Sequence, residues 1–455
     1  MSSSKRRGCL AAFFRWMFRI GLFLFLIGCV AFIVLFRHAI KNRLVDFPRE
    51  IDAWEQLRTG HVDVDIDDGW NDYRGVCHSH SHFSHDSSMP FDSILQAAKE
   101  ARLDFLFMSD HCSEGRGDFS VQWRGERDGV VFFPGYEMSD GFLSWGLPEG
   151  EVLDCTEAPE VVAKRIVAAG GSLFFAHSEQ ERLWDLPEAS GMEIYNIHTD
   201  LLDESLLSVA PDLFLNSRAY PEQTFRTVFD RHPAIMARWD AINEQRKFAG
   251  FSANDAHQNV GLRGEYGALD TLQLISTSGD PLRAWKLNFV TRPIVRLLFG
   301  PLEQGRELFR FDLDPYARSL RFVNMHLLAK EKTSDELLDA LKNGRGYVGF
   351  DLIADSSGFV FRATDAERAA QVTMGESMPW TGQTSLQVAA VLPCLFQVWQ
   401  AGRVVAEGQG REFRWAPPVP GNYRVEASVM VGSEWVPWVY TNHIRLTGNT
   451  VTTAK

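Results

Sequence analysis

Gly75-Val76-Cys77-His78-Ser79-His80-Ser81-His82-Phe83-Ser84-His85-Asp86 is the stretch whose reading decides the fold. Residues i and i+2 of a strand point to one face, so His78 and His80 can grip a single ion while His82 falls beyond them. Neutral imidazole suits zinc, manganese or iron. A lone His-x-His is more often a surface histidine cluster, so the weight rests on the motifs downstream of it.

Pro90 opens a helix whose apolar stripe is Ile94, Leu95, Ala98 and Ala101. A short apolar run, Phe105 to Met108, then ends in Ser109-Asp110-His111. This strand–helix–strand pattern puts polar residues at the carboxyl ends of both strands, where parallel α/β architectures bind ligands. Val130 to Pro134 leads into Gly135-Tyr136-Glu137, and a carboxylate there can bridge two ions as imidazole cannot. A helix from Ala158 to Ala169 stops at Gly170-Gly171, and Leu173 to Ala176 ends in His177. Met192 to Ile197 carries Asn196 and His198 on one strand face, and Phe248 to Ala253 ends in Asn254-Asp255-Ala256-His257. Any one of these polar residues would be ordinary in a loop. Repeated at successive strand ends with βα spacing, they predict an α/β fold built around a metal centre.

In these motifs the chain resembles the PHP superfamily, named for polymerase and histidinol phosphatase. The resemblance runs over about residues 72–260. It is carried by His78-Ser79-His80-Ser81 with Ser84-His85-Asp86, Ser109-Asp110-His111, Gly135-Tyr136-Glu137, Ala176-His177-Ser178 and Asp255-Ala256-His257. It implies a distorted (β/α)7 barrel with two or three divalent ions, the ligands accepting zinc, manganese or iron. His78, His80, Glu137 and Asp255 would hold one ion, and Glu137 would bridge to a second at His177. A third would sit on His111, His257 and either His85 or Asp86. The chain departs from three-metal members in having no histidine between Glu137 and His177, where it reads Ser139-Asp140-Gly141-Phe142-Leu143-Ser144.

The resemblance implies a hydrolase acting on a small phosphoester, with a metal-bound hydroxide as nucleophile. Asp255 could take the proton as well as bind metal, and Asp110 would orient a ligand histidine. His198 and Arg263 are candidates for leaving-group protonation and phosphate contact. The same centre would serve a carboxyl ester, amide or carbamate hydrolase, and Gly421–Glu426 and Pro437–Asn442 resemble the tail of carbaryl-hydrolase-like relatives. A third reading, a non-catalytic metal-binding envelope protein, is disfavoured by the nearly complete ligand set.

Upstream, Ile20 to Phe36 is apolar and uncharged, and adding Trp16 to Arg19 gives a helix matching the hydrocarbon thickness of about 30 Å. Lys5, Arg6, Arg7, Arg15 and Arg19 precede it, and Arg37, Lys41, Arg43 and Arg49 come after it. This slight asymmetry favours a single-pass anchor with the catalytic domain periplasmic or extracellular. Leu26-Ile27-Gly28-Cys29 looks like a lipoprotein cleavage box, but the residues after Cys29 stay apolar where a processed lipoprotein turns polar. The expected organisation is a basic segment 1–19, an anchor 20–36 and a spacer 37–70. A metallohydrolase domain at 71–345 (core motifs 75–260) and a β-sandwich at 346–447 would complete the chain.

A net charge of −13 argues against a general nucleic-acid binder. No Cys-x-x-Cys pair occurs, so Cys77 and Cys112 are read first as small apolar strand residues, and only second as a disulfide partner or metal ligand. The run 281–301 carries Arg283, Lys286, Arg292 and Arg296 among apolar residues, without an acid. It is read as a helical segment packed on the barrel, with a membrane-surface role as the alternative. A further helix is expected from Leu327 to Leu341, ending at Asn343-Gly344. From Tyr347 onward, alternating aromatic-rich runs between Gly and Pro predict short strands.

Overall fold

An uncharged run of Leu, Ile, Val and Phe satisfies its backbone internally only as a helix when it meets lipid. Helix α1 (Ser3–Leu35) takes that form, and its Arg15–Leu35 portion is long and apolar enough to cross a membrane. The computed structural model describes residues 3–66, 68–197, 199–200, 206–277, 279, 281–312 and 314–448. The chain divides into two units, Met1–Glu55 with Leu202–Val228, and Gln56–Leu201 with Phe229–Lys455. In the first, Asn216 donates to the Ala39 carbonyl at 2.9 Å and Arg226 pairs with Glu50 at 2.6 Å. These bonds tie the 206–226 helices to the chain just beyond α1.

The second unit opens with strand β1 (Asn71–Ser79), helix α2 (Phe91–Glu100), β2 (Phe105–Phe107) and β3 (Asp110–His111). Next come β4 (Val130–Phe133), β5 (Gly135–Glu137), β6 (Phe142–Trp145), α3 (Pro159–Ala168) and β7 (Ser172–Phe175). β8 (Ala189–Asn196), α4 (Pro233–Gln245) and β9 (Ala249–Ala256) complete this part. β1 lies parallel to β2 and β9, β2 to β4, β3 to β5, β7 to β8 and β8 to β9. β6 is antiparallel to both β5 and β7. The strands are short, continuous apolar runs because both their faces are covered. Phe91, Ile94, Ala97 and Ala98 of α2 pack on Val76, Leu106, Met108, Phe132 and Ala256 in one core cluster. Burying each large aliphatic or aromatic side chain there contributes about 1.5–3 kcal/mol.

Beyond β9 the chain leaves this core. β10 (Gly261–Gly267), β11 (Thr271–Ser276), β12 (Pro281–Lys286), helix α5 (Thr291–Phe299) and β13 (Glu307–Asp312) form a small module. Its antiparallel sheet has the order β12-β11-β10-β13. The expected single helix over 281–301 is therefore corrected. Residues 281–286 pair as an edge strand with β11, and only 291–299 are helical.

The expected helix over 327–341 is also corrected at its start. Asn324–Ala329 is strand β14, buried throughout and antiparallel to β1 (Tyr73 opposite Leu327). A short apolar run serves a buried strand as well as a helix, and the free edge of β1 decides it. Helix α6 (Ser334–Asn343) comes next, with the Thr333 side chain accepting from the Glu336 amide and Gly344 at φ 65° closing it. β15 (Gly346–Gly349) then pairs on one side with β14 and on the other with β20 (Glu434–Thr441), so the sheet runs on across residue 346.

Between them lie β16 (Val360–Asp365), β17 (Thr384–Gln400), β18 (Arg403–Trp415) and β19 (Gly421–Val431); β21 (Ile444–Thr447) ends the sheet. These strands pair antiparallel with one another, β17 at once with β16, β18 and β19, while Ser377–Pro379 runs parallel to β21. The two runs expected at 385–392 and 394–400 are one strand. Its ladder with β18 shifts between Ala389 and Cys394, around Pro393, which has no N–H to donate.

Candidate metal centre

The strand ends converge. Within β1 and β9 the pairing slips between Cys77↔Ala253 and Ser79↔Ala256, a bulge that breaks the two-residue alternation. His78 sits there at φ 64° and Asp255 at φ 49°, and His177, just past β7, is at φ 48°. Left-handed backbone at a non-glycine residue is costly and persists only where its surroundings enforce it. All three strained residues aim their side chains at one place.

Two groups of side chains there could each hold a metal ion, their donor atoms all within 4.8 Å of one another. One is His78, Glu137, His177 and Asp255; the other is His80, Asp86, His111 and His257. In the first, His78 Nε2 lies 3.1 Å from Glu137 Oε2 and 3.2 Å from Asp255 Oδ1, and His177 Nε2 lies 3.0 Å from Glu137 Oε1. In the second, Asp86 Oδ2 lies 3.3 Å from His111 Nε2 and 3.1 Å from His257 Nε2. The groups adjoin: His80 Nε2 is 3.2 Å from Asp255 Oδ1, and Glu137 Oε2 is 3.6 Å from His111 Nδ1.

The expected set of His78, His80, Glu137 and Asp255 is also drawn together: the two Nε2 atoms are 3.1 Å apart, and His80 Nε2 lies 3.5 Å from Glu137 Oε2 and 3.2 Å from Asp255 Oδ1. Of the pair left open, Asp86 faces the second group while His85 is exposed, its ring 4.9 Å from that of His111. His82 is exposed.

The donor chemistry fits cations. Asp255 Oδ1 is buried and accepts no hydrogen bond, although it faces both His78 and His80. Burial opposes charge on His78, but Asp255, Glu137 and Glu193 outweigh it and lift its pKa well above 6.5. Burial likewise opposes charge on His177 and His257, yet Glu137 beside the first and Asp255 and Asp86 beside the second raise both to about 9. Against the same burial, the histidines hold Glu137 and Asp255 well below the usual carboxylate range. Burial and the neighbouring His257 instead depress His80 to about 3, leaving its imidazole neutral as a ligand must be. The centre is short of positive charge, and protons on histidines are what balance it when no ion does.

Around it lies a supporting layer that the motifs did not reveal. Glu193 of β8 receives His78 Nδ1 at 2.5 Å and the His177 amide at 2.8 Å, which fixes the ring of one and the backbone of the other. Asn196 donates to the same carboxylate at 3.0 Å. Tyr316 donates to the carbonyls of His80 and Ala256, and Ser87 to the His257 carbonyl at 2.9 Å, clamping β1 to β9 where both ligand pairs emerge. Apart from Asn196, which the sequence singles out on its strand and which bonds three residues away, these partners come from distant segments that local spacing does not reveal.

Asp110 was expected to orient a ligand histidine directly; it does so at one remove. Its carboxylate takes the Ser81 amide at 2.5 Å and hydroxyl at 2.8 Å, holding the turn after His80. Gln122 joins it at 2.8 Å and bonds both backbone groups of Gly135, so the Ser81 turn and the Glu137 strand are tied together. Burial raises Asp110 to about 6 against these hydrogen bonds. Arg263 lies on β10 in the small module, outside both groups, and His198 lies outside the described residues. Cys112, next to His111, is joined to Cys155 in a disulfide rather than being the plain strand residue expected; Cys77 is buried and free.

Fold and site together define an α/β protein with paired His/Asp/Glu groups at the ends of short parallel strands. Neither a protein-family model nor a curated protein matches the chain. Among solved structures it is similar to a two-domain Bacteroides vulgatus protein containing a predicted PHP-like metal-dependent phosphoesterase. The similarity covers 84% of this chain and 98% of that one, at 12% identity and a TM-score of 0.36.

Proposed function

We propose that the protein is a metal-dependent hydrolase of the PHP type, acting as a phosphoesterase and anchored to a membrane by α1. The observation that carries this reading is the pair of adjoining donor groups that share the faces of Glu137 and Asp255. In this reading His78, Glu137, His177 and Asp255 hold one ion, and His80, Asp86, His111 and His257 hold another, with zinc, manganese and iron all compatible with the donors. Divalent ions there would supply Lewis acidity and water of lowered pKa. The chain's own part is positional: Glu193, Asp110 and Tyr316 keep the donors in place, and Asp255 offers a buried carboxylate to a proton.

The strand pairings support a distorted barrel, because the circuit from β1 through β2, β4–β5, β6, β7, β8 and β9 returns to β1. The strands from β16 to β21 support a sandwich-like carboxyl-terminal part. The Cys112–Cys155 disulfide favours an oxidising compartment, hence a catalytic unit outside the cytoplasm.

The test is hydrolysis of bis(p-nitrophenyl) phosphate by the full chain in detergent, loaded with manganese or zinc. Turnover that a chelator abolishes, and that His78→Ala loses together with bound metal, is the expected result. Turnover retained in His78→Ala would sink the assignment. Activity confined to carboxyl esters or carbamates would move the reading to the carbaryl-hydrolase-like alternative, and metal without any turnover would favour a binding role.

A further inference from the structure

The small module β10–β13 with α5 has its own core, and that core leaves a second apolar face uncovered. Tyr266, Leu287 and Val295 are buried, with Leu272, Phe299, Leu302 and Leu308 packed against them. Val295 and Phe299, one turn apart on α5, therefore supply the inward face. The other side of the same helix is apolar too: Leu297 is 85% exposed and Leu298 67%, and Phe289 just before the helix is 90% exposed. A soluble helix presents polar residues there. The β10–β11 turn extends the patch, since Leu287 donates its amide to the Asp270 carbonyl and the adjoining Leu269 is 85% exposed.

Cations rim this apolar surface. Arg292 and Arg296 rise from α5 and, with Phe289, Pro293, Pro301 and Leu302, line a cavity of about 390 Å³. Arg283 projects from the exposed edge strand β12 on the face shared with Trp285, and Lys286 from the opposite face. Arg292 meets Asp270 at 3.4 Å, but among the described residues no carboxylate pairs with Arg283, Lys286 or Arg296. In a chain of net charge −13, residues 281–301 hold four basic side chains and no acid. Exposed Leu and Phe surrounded by Arg and Lys are the chemistry that lies in the headgroup layer of an anionic bilayer.

We propose that this face of the module docks on an anionic phospholipid surface. Leu297, Leu298 and Phe289 enter the acyl boundary, and Arg283, Arg292 and Arg296 meet the phosphates. The proposal stands apart from the hydrolase reading, because it uses no residue of the metal centre.

The full chain, assembled into nanodiscs through α1, tests it by hydrogen exchange over residues 287–299. Discs of phosphatidylcholine alone are compared with discs that also contain phosphatidylglycerol. Exchange should slow by about tenfold or more only in the anionic discs. High salt, the double variant Arg292→Glu/Arg296→Glu, or the double variant Leu297→Ser/Leu298→Ser should each remove that protection. Leu297 and Leu298 are 85% and 67% exposed and stand outside the module's core, so their replacement leaves that core intact. Equal exchange in both kinds of disc would overturn the proposal. So would protection in lipid-free detergent that rises with protein concentration, which would mark a self-association surface.

Discussion

Glu193 shows what a single residue outside the ligand set can do. Its two oxygens hold different parts of the centre, one the His78 ring at 2.5 Å and the other the His177 amide at 2.8 Å. It is also among the causes that keep His78 and His177 basic. Glu193→Gln keeps the shape but removes the charge that orients and strengthens the imidazole, so affinity for zinc or manganese should fall about 10–100-fold. Competition against a chromophoric chelator would measure this, and an unchanged dissociation constant would show that Glu193 is merely packed there. The three left-handed residues His78, His177 and Asp255 belong to the same scale, since each accepts backbone strain in order to aim its donor.

At the scale of elements, α2 is the buttress of the strands that carry the first ligands. Ile94 is fully buried in the cluster with Val76 and Leu106, which lie on β1 and β2. Ile94→Ala leaves a cavity behind both strands and should cost about 2–5 kcal/mol in urea denaturation. Metal stoichiometry should stay unchanged well below the unfolding midpoint. A loss under about 1 kcal/mol would mean that α2 does not back the site as described. The surface helix α5 contrasts with α2, because its inner face is satisfied by a core of its own while Leu297 and Leu298 are exposed.

Across the whole molecule, one buried network joins strand β1, which carries His78, to the carboxyl-terminal sheet. His326 on β14 lies 2.9 Å from Asp72 at the start of β1 and 2.9 Å from Asp351 after β15, and Tyr347 donates to Asp72 at 2.5 Å. Burial opposes its charge, but Asp72 and Asp351 prevail and raise His326 from 6.5 to about 10. A histidine whose pKa rises on folding stabilises the protein in full below its unfolded value, and that contribution fades as pH climbs through the folded one. The melting temperature should therefore fall between pH 7 and 10. His326→Gln should lose that slope and destabilise the chain by about 3–5 kcal/mol near neutrality, because it leaves two buried carboxylates without their cation. A wild-type melting temperature that stays flat over this range would contradict the network's proposed charge state.

The sequence by itself determined the α/β alternation, the apolar amino-terminal helix and the identity of the donor side chains. These are local properties: apolar runs of strand length, glycine stops, and polar residues where each run ends. Tertiary structure alone brought the donors together, because the bulge between β1 and β9 and the turn at φ 64° in His78 depend on a strand some 175 residues away. It also brought the Asp86 carboxylate to 3.3 Å from His111 Nε2 while leaving His85 exposed, since a one-residue shift reverses which side faces inward and spacing cannot fix the shift. Asn324–Ala329 became a strand because β1 offered a free edge, an event invisible in its own six residues. Glu193, Gln122, Tyr316 and the Cys112–Cys155 bond were hidden for the same reason. Local sequence encodes period and chemistry, whereas contacts between distant segments exist only once the strands have paired.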